Sequence, residues 1–287
     1  MRHLTIILAV FCLCNWSLYA QGELSGGFKT GLNFNRLDGP QNTGVVYDNN
    51  TGFHIGASFL YSITDLFGLK GELLYSQKGT QATFEGDSYF VFYPVDGGEP
   101  IFANGRRRSD ITIANSYIDI PLMVYFRLGR VELEAGVNAA MMIGSTGSGA
   151  ITFSGSTPQG STIEEFTSAI DARYYSDDPG AASIRSSKTA ILSNTTVFIP
   201  TTIGGYYEGP MNDEKRFNRF DFGLNAGLSI FLNQGLYIGG RLNYGLTDVT
   251  RAGQDLDLRQ LGDDNTFITR DEMDRNLSIQ TSVGFRF

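Results

Sequence analysis

The feature that most constrains this chain is a two-residue alternation that recurs in segment after segment. It is clearest from Phe220 to Leu246. Phe220, Phe222, Leu224, Ala226, Leu228, Ile230 and Leu232 alternate with Asp221, Gly223, Asn225, Gly227 and Ser229. After Asn233-Gln234-Gly235 the pattern resumes, with Leu236, Ile238, Gly240, Leu242 and Tyr244 against Tyr237, Gly239, Arg241 and Asn243. A period of two places each set on its own face of a strand, and Asn-Gln-Gly has the residue types of a hairpin turn. One face is apolar; the other carries glycine, amide and charge. A soluble sheet would turn the polar face to water. A membrane barrel would turn the apolar face to lipid and fill its lumen with the polar one.

The spacing of the strands favours the barrel. Alternating segments are expected near 24–35, 53–63, 67–78, 112–127, 131–143, 219–232, 236–247 and 276–287. The connections between them run long, short, long, short, long, short, long, with outer loops expected at 36–50, 79–110, 144–217 and 248–275. Short periplasmic turns and long extracellular loops give this parity when both termini lie in the periplasm. The fold expected is all-β: a transmembrane eight-stranded antiparallel up-and-down β-barrel spanning 21–287. Segments of about ten to twelve residues suit a tilted bilayer crossing.

The N-terminus bears on compartment. Arg2 and His3 precede the apolar run Leu4 to Leu13, and Leu18-Tyr19-Ala20 precedes Gln21, the layout of a secretory signal peptide over 1–20. Both cysteines and the single tryptophan fall within it, which leaves the exported chain without disulfides. The formal charge is −8, and without Arg2 it becomes 21 basic against 30 acidic side chains, or −9. That sign gives no electrostatic footprint for nucleic acid.

Strand parity also names a lumen set. Its bases are Lys29, Lys70, Lys78, Arg241 and Arg286, and its acids are Glu72, Asp119, Glu132, Glu134 and Asp221. The equal numbers allow the interior to neutralise itself. An eight-stranded barrel is just wide enough to be filled by side chains, and charges buried there must be paired. A plugged polar core without a channel is therefore expected. His54, the only histidine outside the signal segment, faces the same lumen near the loop end. It is expected to be a satisfied polar-core residue, because a general base needs a partner that the sequence does not supply.

The pieces Gly31-Leu32-Asn33-Phe34, Gly52-Phe53-His54-Ile55-Gly56 and Gly71-Glu72-Leu73-Leu74-Tyr75-Ser76-Gln77-Lys78-Gly79 together resemble a family. Tyr117-Ile118-Asp119-Ile120-Pro121-Leu122, Asp221-Phe222-Gly223-Leu224 and Tyr244-Gly245-Leu246-Thr247 extend the likeness. It is to the outer membrane protein beta-barrel domain group of Bacteroidetes, the PorT-like eight-stranded barrels. The resemblance implies an accessory barrel of type IX secretion. It also implies that Val283, Phe285 and Phe287 form a C-terminal signal for the barrel assembly machinery. It does not reach 144–217.

Other features are less specific. Pro121 lacks a ladder donor, so a local kink is expected there. Ile111 and Ile113 have the opposite parity to the apolar set of their strand, which suggests a bulge or an unembedded extension near Asn115. Arg106-Arg107-Arg108 is either a solvated cluster or a contact for lipopolysaccharide phosphates. Tyr174-Tyr175 and Tyr206-Tyr207 are either a recognition surface or parts of a hairpin that extends the barrel. Asp263 to Glu272 lacks the first carboxylate and the glycine of a calcium loop. No cofactor or metal site is expected. The reading is a non-enzymatic outer-membrane barrel whose loops meet a partner or shape the envelope, in contact with outer-membrane lipids and lipopolysaccharide. A small-solute pore is the alternative, and an outer-membrane enzyme is a third class.

Overall fold

The computed structural model describes residues 23–40 and 44–287; the expected signal peptide lies outside them. One continuous sheet holds twelve strands: β1 (Glu23–Asp38), β2 (Val45–Asp48), β3 (Asn50–Ser62), β4 (Phe67–Phe92), β5 (Ile101–Leu128), β6 (Val131–Ser156), β7 (Thr162–Ala172), β8 (Ile184–Leu192), β9 (Thr195–Ile203), β10 (Phe220–Phe231), β11 (Leu236–Gly245) and β12 (Arg275–Arg286). Eight of them pair in a closed antiparallel ring, in the order β1-β3-β4-β5-β6-β10-β11-β12 and back to β1. Closure leaves no unpaired edge in the ring, the only sheet arrangement that hydrocarbon tolerates.

The tight connections and both ends of the ring lie together at what we term the turn end. Asn233 Oδ1 accepts hydrogen bonds from the backbone N–H of Gly235 (2.9 Å) and Leu236 (2.7 Å), closing the β10–β11 turn. Thr64 Oγ1 does the same for Leu66 and Phe67 between β3 and β4.

At the opposite, loop end the sheet does not stop. The outer loops expected at 79–110 and 144–217 lie at this end, and much of each is strand. β4 and β5 run 26 and 28 residues and stay paired from Phe67↔Phe126 to Phe92↔Ile101. β6 continues to Ser156 and is followed by β7, β8 and β9. At 36–50, β1 extends to Asp38 and β2 pairs with β4. Only 248–275 is largely irregular, with two single 3-10 turns and isolated bridges. Composition misleads at these places. Ser, Thr and Gly are usual loop residues, but here they sit on the outward face of strands whose inward face is apolar.

The extension rolls into a second closed unit, the head. β6 pairs with β7, β7 pairs in parallel with β9 at Ala169↔Thr202 and Ile170↔Ile203, and β9 meets the end of β4. The last contact is a Pro94↔Val197 bridge with Phe198 N donating to the Tyr93 carbonyl at 2.9 Å. Phe90, Phe92, Phe153, Phe166 and Tyr207 pack inside, with Phe90 edge-on to Phe166 at 5.1 Å between ring centroids. Gly79 marks the passage from ring to head. It takes φ +145°, and a Cβ there would lie 2.0 Å from the Ile113 carbonyl oxygen.

Of the two causes expected for the parity of Ile111 and Ile113, a bulge or an unembedded extension, the structure shows the extension on β5 itself. Inward positions of β5 remain odd-numbered throughout: Tyr117, Asp119 and Met123 in the ring, Ile113 and Ala103 in the head. The extra residue lies on the neighbouring strand. Ser116 pairs with Gly144 and Tyr117 with Met142, which leaves Ile143 as the extra residue of β6. The β5 pattern inverts because the interior turns from polar to apolar as the strand leaves the ring. At Pro121 the β4–β5 register is unchanged, but pairing lapses between Gly71↔Leu122 and Leu74↔Asp119. A proline without an N–H accounts for that gap.

Candidate functional site

The inward faces of all eight ring strands meet in a lumen packed with charge. Arg241 on β11 is its hub. Its Nε donates to Glu134 Oε1 (2.7 Å), Nη1 to Glu72 Oε2 (2.7 Å) and Nη2 to Glu72 Oε1 (2.9 Å), so two carboxylates from β4 and β6 clamp one guanidinium. Lys29 on β1 reaches Glu72 at 2.9 Å, and Lys70 reaches Glu134 at 2.7 Å, Glu72 at 3.4 Å and Glu132 at 3.8 Å. Toward the turn end, Arg286 Nη2 donates to both oxygens of Glu132 at 2.8 Å. Toward the loop end, Lys78 binds Asp119 at 3.1 Å and lies 3.9 Å from Asp221. Asn276 and Thr247 each donate to Asp221 at 2.8 Å. The structure thus pairs all five lumen bases and all five lumen acids, in two clusters: Lys29, Lys70, Arg241 and Arg286 with Glu72, Glu132 and Glu134, and Lys78 with Asp119 and Asp221 nearer the loop end. A planar five-donor guanidinium suits the hub, because it can satisfy two carboxylates at once.

His54 sits within this region and is 0% exposed. Its Nδ1 is 2.7 Å from Asn33 Oδ1, and its Nε2 is 2.9 Å from Ser282 Oγ. The Asn33 amide nitrogen donates to the Phe53 and Gln77 carbonyls and to Ser76 Oγ, so Oδ1 must face the ring. Nδ1 therefore carries the proton, and Nε2 accepts from the Ser282 hydroxyl. Serine, histidine and amide are in series here, the connectivity of a nucleophilic relay. Its surroundings are those of a strut. Ser282 is ladder-paired on both sides, to Gly31 and Gly239, so neighbouring N–H groups are not free to form an oxyanion site. A Cβ on Gly31 would lie 2.8 Å from the imidazole Cε1 and 1.8 Å from the Thr281 carbonyl oxygen; only glycine fits beside His54. The void beside Arg241 and Ser282 is about 10 Å³, scarcely one water.

The lumen is also closed from above. Tyr117 is the boundary residue: its hydroxyl accepts from Asn276 at 3.4 Å, and Lys78 lies 5.0 Å beneath its ring. Above it Met142, Tyr174 and Phe217 belong to the head core, with Tyr174 and Phe217 edge to face at 5.3 Å. At the turn end, Arg127 covers the Phe231 ring at 3.9 Å and reaches Glu132 at 3.3 Å.

A family model described as outer membrane protein beta-barrel domain matches residues 19–251. The chain belongs to that family. It is accordingly an outer-membrane β-barrel protein, with the apolar outer wall of its ring in lipid. No curated protein matches its sequence. Among solved structures it is similar to Ail, the attachment invasion locus protein of Yersinia pestis, in complex with the heparin analogue sucrose octasulfate. Identity is 14%, coverage 92% of this chain and 99% of that one, and the TM-score 0.35. Neisserial surface protein A is 10% identical, with coverage of 92% and 99% and a TM-score of 0.38. OprG from Pseudomonas aeruginosa is 12% identical, with coverage of 93% and 95% and a TM-score of 0.34.

The outer wall of this outer-membrane barrel has the banding that a bilayer requires. Leu122, Val124, Val137, Leu224 and Ile279 form an exposed apolar belt. Phe28, Phe59, Phe67, Phe126 and Phe285 ring it at the turn end, and Phe34, Phe53, Tyr75 and Phe222 at the loop end. Phe67 and Tyr75 on β4 are about 27 Å apart along the strand at ~3.4 Å per residue, or about 20 Å along the normal after tilt. That is close to the usual height of the apolar band. Val283 and Phe285 lie on this wall, and Phe287 follows it.

The loop features resolve into core and surface. Arg107 turns inward and pairs with Glu208 at 2.7 Å, while Arg106 and Arg108 stay exposed. Arg106 is 3.8 Å from Glu85 and 3.7 Å from Asp87 across the β4–β5 ladder. Tyr174, Tyr206 and Tyr207 are buried in the head, and Tyr175 alone is exposed. Tyr207 donates to the Val91 carbonyl and Tyr206 to the Tyr174 carbonyl, each at 2.7 Å. Sequence reasoning missed Asn33, Ser282 and Asn276 as partners of the lumen ions and imidazole. Parity placed them on the inward face, but nothing in one sequence gives the cross-barrel distances.

Proposed function

We propose that this protein is a non-conducting anchor that displays a rigid folded head outside the cell. The carrying observation is the double closure of its axis: an ion-paired lumen with Arg241 at its hub, and directly above it an apolar core continuous with Tyr117. In this reading the turn end faces the periplasm and the loop end the exterior, as the parity of the connections supports. The head is then the surface for a macromolecular partner or for envelope structure. Arg106 and Arg108 on its outer wall suit lipopolysaccharide phosphates, and the exposed aromatic terminus suits the assembly machinery. The likeness of its strands to PorT-like barrels supports a sharper form, an accessory role in type IX secretion.

Two experiments test these layers separately. Planar-bilayer recordings of the purified protein should give no discrete steps, and clear single-channel steps would replace the anchor with the pore reading. Deletion of the gene should abolish cargo export if the secretion role holds; normal export in the deletion strain removes that role and leaves the anchor intact.

A further inference from the structure

The head contains a cavity of about 100 Å³ unrelated to the lumen network. It lies between the β4–β5–β6 wall, the segment after β9 and the 248–275 loop. One half is hydrocarbon: Ile111, Ile113, Ile151, Ile170 and Ile203 line it. The other half is ionic, lined by Arg107, Arg216 and Arg270 with Glu208 and Asp255.

The ionic half is incompletely satisfied by the protein. Arg107 is 4% exposed; its Nη2 pairs with Glu208, but its Nε and Nη1 are buried without a partner. Arg270 is committed to Asp255 at 2.9 Å and also pairs with Glu272. Among the described residues Arg216 has no carboxylate within the 4.0 Å of an ion pair, and its Nε is buried and unpartnered. The faces of Tyr174 at 5.3 Å and Phe217 at 5.9 Å flank its guanidinium. Glu208 and Asp255 line the cavity beside the three guanidinium groups and Glu272 pairs with Arg270 from outside it, so the charges match in number and what is unmet is the hydrogen bonding of Arg107 and Arg216. A buried donor left without an acceptor is destabilising, so these groups favour a guest that can accept from them.

We propose that this cavity binds a small organic monoanion, a short-chain carboxylate, with its charged end at Arg107 and Arg216 and its alkyl end on the isoleucine floor. Water alone would satisfy the arginines but not the floor, where it finds none of the polar partners that hold a buried water. A purely apolar guest would leave the arginines unpaired. A bare inorganic anion would leave the floor empty. Size sets the chain length: a cavity of ~150 Å³ accepts benzene, so this smaller one fits an acid of about four carbons. The lumen and the bilayer wall play no part, so the proposal stands whether or not the barrel conducts.

The test uses the full-length protein in detergent micelles, titrated with butyrate and followed by saturation-transfer NMR and calorimetry. Saturable 1:1 binding of butyrate is expected, with 1-butanol, n-butylammonium and inorganic phosphate each at least about tenfold weaker, the scale of one charge-assisted hydrogen bond. Arg216→Gln, checked for folding by heat-modifiable electrophoretic mobility, should weaken butyrate about tenfold or more. Absence of saturable butyrate binding would overturn the proposal. So would equal binding of butanol, and these wild-type comparisons hold even if the variant misfolds. An unchanged butyrate affinity in folded Arg216→Gln would also overturn it.

Discussion

The ring and the head are built from the same strands, yet one is the other turned inside out. On β5, Asp119 and Ile113 both point inward, the first into an ionic lumen and the second into an apolar core. Leu122 points outward in the ring and is 58% exposed, whereas the outward residues Arg106 and Arg108 of the head are charged. The β4–β5 ladder runs on from one into the other, past Gly79 and the extra residue of β6, without a break in register. The solvent changes. Lipid removes the hydrophobic gain from burying apolar side chains inside, so the ring puts them outside and fills itself with paired polar groups. Water restores that gain, and the head buries its aromatic residues.

The comparison predicts that the two regions fail in opposite ways. The largest effect is expected at Arg241. Arg241→Met removes the guanidinium that clamps Glu72 and Glu134 and leaves them to Lys29 and Lys70 alone, at a cost of about 3–5 kcal/mol. The triple variant Arg241→Met, Glu72→Gln, Glu134→Gln should be less stable still, because it strands Lys29 and leaves Lys70 only Glu132 at 3.8 Å. Urea unfolding in lipid vesicles measures both, and a triple variant more stable than the single one would contradict a lumen governed by charge pairing. In the head the reverse chemistry holds. Phe153→Ala opens a void among Phe90 and Phe166 and should cost a local ~3–5 kcal/mol. Hydrogen exchange should quicken in β7 and β9 while the ring keeps its heat-modifiable mobility. Simultaneous loss of both would mean one cooperative unit.

Outward substitutions should separate the regions again, by less. Leu122→Arg sits mid-belt on β5, where an arginine facing lipid costs about 2–4 kcal/mol. Ile191→Arg on β8, at a site 73% exposed, should change stability by no more than about 0.5 kcal/mol. Paired unfolding titrations would decide it; equal penalties at the two sites would put both faces in one solvent.

Alternation made the ring legible because each face met a single environment. The lumen set could be named from parity: Lys29, Glu72, Glu134 and Arg241 lie on inward positions of four strands. Their partnership could not, since Arg241 and Glu72 are 169 residues apart in sequence and meet only on closure. The head was hidden for a physical reason. Once the apolar face turns inward and Ser, Thr and Gly occupy the outside, a segment such as 144–156 keeps the ladder but loses the apolar outward stripe that marks the ring. Ile111 and Ile113 carried the inversion in plain view, but parity alone cannot distinguish a shifted strand from a changed interior. The extra residue Ile143 of β6 compounds this by moving inward positions from even to odd numbers.

The smallest predicted effect is a pH dependence confined to the head. Burial raises the Asp255 carboxyl to about 6 from an ordinary 3.8, helped by Asp274 and opposed by Arg270 and Arg216. Burial likewise raises Asp248 and Asp274. A carboxyl raised in the folded state binds more protons there than in the unfolded chain between its two pKa values. Stability in that window therefore falls as pH rises, and the contribution is lost above about pH 6. Asp257, lowered by its bonds to Arg259, titrates below the window and does not offset this. Backbone amides of 248–275 should accordingly show greater protection at pH 5 than at pH 7, after correction for intrinsic exchange rates. Asp255→Asn should flatten most of the difference, while β10 and β11 amides in the ring stay unchanged. Greater protection of 248–275 at pH 7 would reverse the sign and place these carboxylates in an environment that favours their charge.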